Sequence, residues 1–157
     1  MFKTEIVQEY KGYVLVCNFL DMGHRCGYVG LPKNHPIERI SVSRADKLIG
    51  VCHGGVSYSE PTYNHYPIYN PEVAWWIGFD CNHYADGKDM ESVEYYFGKE
   101  ARKEAERLSG QKVNSGKHIY DKNEVIQECM KLADEIEKVI SKDKENEDKD
   151  YSEMERN

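Results

Sequence analysis

Hydrophobic and polar positions divide this chain into a strand-patterned first half and a helix-patterned second half. Residues 2–20 read as a strand or hairpin. Lys11-Gly12 supplies the turn, and Tyr13-Val14-Leu15-Val16-Cys17 is an apolar, β-prone run. Asp21-Met22-Gly23 marks a second turn. Residues 26–31 form the next strand, which Pro32 stops. Residues 33–41 read as a loop, 43–48 as one helical turn and 51–59 as a strand. Residues 60–72 form a loop with three prolines and three tyrosines, and 73–83 gives the clearest strand pattern.

The period then changes. Residues 91–108 are permissive for a helix that Gly98 interrupts, and 109–116 form a loop. From Asp121 to about Ile140 the pattern predicts a helix. Asp121 and Glu124 make a capping box, and Val125, Cys129, Leu132, Ile136 and Val139 or Ile140 form one apolar stripe. The stripe should pack on the sheet. The expected fold class is therefore α+β, an N-terminal antiparallel sheet packed by one or two C-terminal helices. Residues 1–141 should form a single domain. From residue 142 to 157, high charge and low hydrophobicity predict a disordered tail.

Charge narrows the partners. The formal net charge is −7, of which the last sixteen residues contribute −3, leaving −4 for the body. An acidic body argues against duplex nucleic acid, whose binding relies on clustered Lys and Arg. It leaves room for a small anion held by one or two local cations. No apolar run is long enough to span a membrane, and the N-terminus lacks a signal-peptide core, so a cytoplasmic protein is expected. The five cysteines, odd in number and irregularly spaced, should be thiols or metal ligands rather than disulfides.

Three glycine-punctuated segments carry the candidate chemistry: Gly23 to Val29, Val51 to Tyr58 and Trp75 to His83. Each mixes apolar residues with His, Cys, Arg or Asp. Glycine inside a strand marks a bulge or a close approach to the backbone. Alternation over 73–83 puts Val73, Trp75, Ile77, Phe79, Cys81 and His83 on the core face. Ala74, Trp76, Gly78, Asp80 and Asn82 fall on the other. A flat ring, a slot and an acceptor would suit a purine-like or ribose-bearing ligand. The plainer alternative is a Trp covering the sheet edge and an Asp capping a turn.

Alternation over 51–59 puts Val51, His53 and Gly55 on one face. The Gly54-Gly55 pair admits a ligand or a neighbouring strand, or simply bends the sheet as a bulge. Arg25, at the mouth of a strand, is the candidate phosphate fork, against the commoner fate of a salt bridge. Metal binding is a minority reading. Cys81-x-His83 and Cys52-His53 are not structural-zinc spacings, but Asp80, His83 and Asp86 offer ligands across strands. Zinc or another divalent metal is thus allowed but not required, with His83 and Asp86 the candidate ligands.

The ordered segments GHRCGYVGLPKNHP, CHGGVSYSE, WWIGFDCNHYAD and NEVIQECMKLADEI resemble a family of small phage and prophage proteins. The resemblance covers residues 10 to 140. It implies motif positions Arg25, Cys26, His35, His53, Gly54, Gly55, Trp76, Asp80, Cys81, His83, Asp86 and Glu128. The chain departs from the family pattern between Pro36 and Gly50, where the pattern is richer in Tyr and Asp. By build alone, such proteins are similar to phage anti-defence proteins that sequester nucleotide signals.

The leading expectation is a homo-oligomeric phage accessory protein that captures a small nucleotide-derived signal, such as a cyclic ADP-ribose isomer or a cyclic oligonucleotide, without turning it over. Arg25, His53, Gly54, Gly55, Trp76, Asp80, Asn82 and Asp86 would form its binding site. The alternative is a small, metal-assisted hydrolase of such a signal, with His53, Asp80, His83 and Glu128 as its catalytic groups. A third reading is a protein-interaction inhibitor working through the tyrosine loop and the acidic tail.

Overall fold

A computed structural model of the protein describes residues 1–110 and 116–155. The fold is α+β, as the periodicity predicts. Five strands form one antiparallel sheet: β1 (Phe2–Tyr10), β2 (Tyr13–Leu20), β3 (Arg25–Pro32), β4 (Tyr58–Glu60) and β5 (Val73–Asp80), in the order β1-β2-β3-β5-β4. The helices are α1 (Val42–Ile49), α2 (Met90–Phe97), α3 (Lys99–Ser109) and α4 (Lys122–Glu155). Segments 111–115 and 156–157, parts of the expected loop and tail, lie outside the described residues.

The two faces of the sheet are covered differently. On one face Leu15, Cys17, Val29, Leu31, Ile77 and Phe79 meet the α4 stripe of Val125, Cys129, Leu132 and Ile136, all fully or nearly fully buried. The capping box forms: the Glu124 amide donates to Asp121 Oδ1 (2.8 Å) and the Asp121 amide to Glu124 Oε1 (3.2 Å). On the other face Val16, Cys26, Tyr28, Val73 and Trp76 are sealed by Tyr58, Tyr66 and Ile68. Buried Asn18 ties this cover down, donating to the Pro67 carbonyl (2.9 Å) while accepting from Thr4 (2.7 Å).

The cover corrects the reading of Trp76. Its face is right, but the face is not open. Trp76 is fully buried, and its indole N–H donates to Thr62 (2.8 Å), so no ligand can stack on it. The strand glycines have an internal explanation too. Gly27 pairs with Phe79, and a Cβ on Gly27 would lie 2.5 Å from the Phe79 ring and 2.7 Å from Cys129 Sγ on α4. Gly78 pairs with Tyr28, and its Cβ would lie 2.5 Å from that ring. Each glycine makes room for the aromatic ring of the opposing strand, on opposite faces of the sheet. What approaches the backbone is the protein itself.

Arg25 is corrected as well. Its guanidinium is buried and fully engaged. It donates to Glu5 (2.6 and 3.2 Å), Asp89 (3.0 Å) and the Tyr120 carbonyl (3.0 Å), and it lies 4.8 Å over the Phe19 ring. A buried fork already matched by two carboxylates is not an open site for a phosphate.

Two boundaries also differ from expectation. The expected strand over 51–59 is a turn through 52–55 followed by the short β4, because Gly54 and Gly55 adopt positive φ (70° and 80°). The expected disordered segment from residue 142 continues α4 to Glu155, with residues 141–146 exposed. Charge keeps this stretch out of any core but does not stop a helix. Lys and Glu are good helix formers, Glu145 and Lys149 stand four residues apart, and extending a helix costs far less than nucleating one.

The Arg25 network yields a stability prediction. R25M leaves the buried Glu5 and the partly buried Asp89 without their cation, with the Tyr96 and Ser92 hydrogen bonds remaining. Urea unfolding should show a loss of about 3–5 kcal/mol. A loss below about 1 kcal/mol, the range of a surface pair, would contradict the network described here.

Candidate metal centre

Three segments from distant parts of the sequence meet at the end of the sheet where β5 leaves it. The first is the turn 52–55. Asp46 on α1 anchors it by accepting from the Val56 amide (2.9 Å), and the Gly55 amide closes the turn on the Cys52 carbonyl (2.9 Å). The turn presents the His53 ring, and the His53 amide donates to Glu128 on α4 (3.1 Å). Glu128 thus reaches this region as a support for the His53 backbone. The second segment follows β5. The Asn82 amide donates to Asp80 Oδ1 (3.0 Å), turning the chain so that 83–86 folds back on itself. The Asp86 amide donates to the His83 carbonyl (2.9 Å), and the His83 amide donates to Asp86 Oδ2 (3.0 Å). The third segment precedes α4. The Gly87 amide donates to the His118 carbonyl (2.7 Å), and the Tyr120 ring packs 4.2 Å from that of His53.

The Asp86 carboxylate lies at the centre, with only 4% of its side chain exposed. His53 Nε2 stands 3.0 Å from both of its oxygens, and His83 Nδ1 stands 2.8 Å from Oδ2. One ligand atom from each of His53, His83 and Asp86 lies within 4.8 Å of the others. The 2.8–3.0 Å separations are hydrogen bonds between the two imidazoles and Asp86, which a metal taking the same atoms would replace. Burial pushes the Asp86 carboxyl up. Hydrogen bonds from His53, the His83 amide and the His83 ring outweigh it, and the group stays below the usual carboxylate range.

Behind His83, Asp80 Oδ1 lies 3.7 Å from Nε2, and Asp80 in turn accepts from Ser57 (2.8 Å). At 3.7 Å Asp80 is a charged neighbour of the His83 imidazole rather than a hydrogen-bond partner. Gly54 seats the other side of that ring: a Cβ there would collide with it. The cysteines stay out. All five are free and buried, and burial pushes the Cys52 and Cys26 thiols up to about 12. Thiols held protonated in this way are poor nucleophiles at neutral pH, and none of the five belongs to the His53–His83–Asp86 group.

Beside His83 and Asp86 opens a pocket of about 230 Å³, lined also by Asn82, Tyr84, Lys88 and Lys117. Lys88 donates to Asn82 Oδ1 (2.5 Å), and Lys117 Nζ lies 4.3 Å from the exposed Tyr84 ring.

Of the residues proposed from sequence, His53, Gly54, Asp80, Asn82, His83 and Asp86 converge here. Glu128 touches the site through a backbone amide, and Gly55 faces Asp46. Arg25 and Trp76 are elsewhere. Lys88, Lys117 and Tyr120 were not identified from sequence. They follow no spacing rule, and only the strand order brings them in. Compared with protein-family models, curated proteins and solved structures, the chain finds no significant match.

Metal titration of the stripped protein tests the centre. By calorimetry, Co²⁺ or Zn²⁺ should bind at one equivalent. H53A, H83A and D86N should each weaken binding by about 100-fold or more, and D80N by less. C81S should bind normally. Unchanged binding in both H83A and D86N would exclude the site.

Proposed function

We propose that the protein is a small, divalent-metal-assisted hydrolase acting on a nucleotide-derived signal, rather than a sequestering protein. The observation that carries this reading is the convergence of His53, His83 and Asp86 at the edge of an open pocket. Two imidazoles and one carboxylate form a ligand set that leaves metal positions for water and substrate. A metal held this way lowers the pKa of its water towards neutrality and polarises the bond to be cut. Asp80 is a charged neighbour of His83. Tyr120 and the Glu128–amide contact hold His53 in place.

The sequestration reading loses the two groups it most needed. Arg25 is consumed by Glu5 and Asp89, and Trp76 is sealed inside the sheet. The nucleotide-like substrate class is supported by the exposed Tyr84 ring beside Lys117, a surface for a base next to a cation for an anion.

A mass-balance assay separates turnover from capture. Metal-loaded protein is incubated with cyclic nucleotides and cyclic ADP-ribose isomers, the free fraction is chromatographed, and the sample is heat-denatured and chromatographed again. A substrate should disappear and return as new products, and EDTA or H83A should abolish that conversion. A ligand that returns unchanged on heating would mean sequestration and overturn the hydrolase reading.

A further inference from the structure

We infer that the pocket beside the metal centre is a seat for a phosphate group, and that the bond cut is therefore an ester or anhydride bond to phosphorus rather than a glycosidic bond. The inference rests on the metal-assisted reading above and specifies its substrate. Two lysines, Lys88 and Lys117, line one small pocket in an otherwise acidic protein. Two cations sharing a pocket repel one another, and an anion between them relieves that repulsion. Among the described residues Lys117 has no carboxylate partner; its recorded contact is the Tyr84 ring.

A second, independent observation points the same way. Ser109, at the end of α3, also lines the pocket, and its hydroxyl oxygen is buried with no hydrogen-bond partner. Buried hydroxyls are normally satisfied, and one left open on a pocket wall is a donor awaiting an acceptor. Two ammonium groups and a hydroxyl donor match the several acceptor oxygens of a phosphate. Asn82 and Asp86 also offer acceptors to the pocket, so it is the pair of cations that favours an anion over an uncharged sugar. The pocket shares His83 and Asp86 with the metal site, so a phosphate seated there presents its phosphorus to the metal-bound water.

The step balances without any further reagent. Metal-bound water gives up one proton to solvent and forms the new P–O bond. The bond from phosphorus to the leaving oxygen breaks with its electron pair, and that oxygen takes up a proton. Lys88 and Lys117 would offset the charge that builds on the non-bridging oxygens.

Inorganic phosphate is the probe, titrated into cobalt-loaded protein by calorimetry, with cobalt binding measured separately on each variant. Wild-type protein should bind one phosphate. K117A should weaken phosphate binding about 10-fold, and K117E more, the scale of losing one charge-assisted contact. Cobalt affinity should change less than about twofold, because Lys117 is no ligand. Bis(4-nitrophenyl) phosphate should release nitrophenol with the same rank order. Cobalt binding without phosphate binding, or phosphate bound equally by K117E, would overturn the seat while leaving the metal centre standing. Failure to bind cobalt would instead overturn the hydrolase reading on which the seat depends.

Discussion

The Arg25 guanidinium donates to Glu5 on β1, to Asp89 at the start of α2 and to the Tyr120 carbonyl just before α4. These partners lie 20, 64 and 95 residues from it. Removing such a charge from water is costly, and only a full set of acceptors with good geometry offsets the cost. The network is therefore a strong positional constraint. It fixes the end of the 81–89 segment through Asp89 and the approach to α4 through Tyr120. Asp86 and His118 belong to those same two segments, joined by the Gly87 amide on the His118 carbonyl. The geometry at Asp86 depends on where Arg25 holds the chain.

From that constraint the site follows locally. The Asn82 turn on Asp80 reverses the chain after β5, and the 83–86 turn closes on itself, so His83 Nδ1 and Asp86 must face one another. His53 arrives from the other side on a turn whose shape is set by Gly54 and Gly55 and whose base is held by Asp46 and Glu128. None of these supports acts on a substrate. They hold His53, His83 and Asp86 close to one another, and under the proposed function a metal would bind there with little reorganisation.

Much of the fold was legible in the sequence. The α4 stripe, its capping box, the β5 alternation from Trp75 to Phe79 and the break at Gly98 appear where the periodicity puts them, whereas Val73, opposite Pro32 past a register shift, joins Trp76 on the other face instead of the expected core face. What alternation could not reveal was what lies over each face. Trp76 sits on the face it assigns, yet the 61–72 loop covers that face, and Asn18 holds the loop through Pro67. Arg25 sits at the strand mouth as expected, but its carboxylates come from residues whose spacing carries no signal. His53 was placed on a strand because Val51 to Tyr58 is β-prone, whereas the positive φ of Gly54 and Gly55 makes it a turn. The convergence of His53 with His83 and Asp86 requires β4 to lie beside β5, a fact of strand order that no local pattern encodes. A glycine in a strand signals a bulge or a close approach by a ligand or by the protein, and at Gly27 and Gly78 aromatic rings of the protein fill the space.

The chemistry of the site is simple for so small a protein. In the proposed reading Asp86, His53 and His83 would hold a hydrolytic metal, and the pocket lined by Lys88 and Lys117 would receive an anionic substrate. X-ray absorption at the metal edge of the cobalt- or zinc-loaded protein tests the central claim most directly. The account predicts first-shell N/O scatterers at about 2.0–2.2 Å with the outer-shell signature of two imidazoles and no sulfur. A shell containing sulfur, or one lacking imidazole, would contradict a centre built from His53, His83 and Asp86.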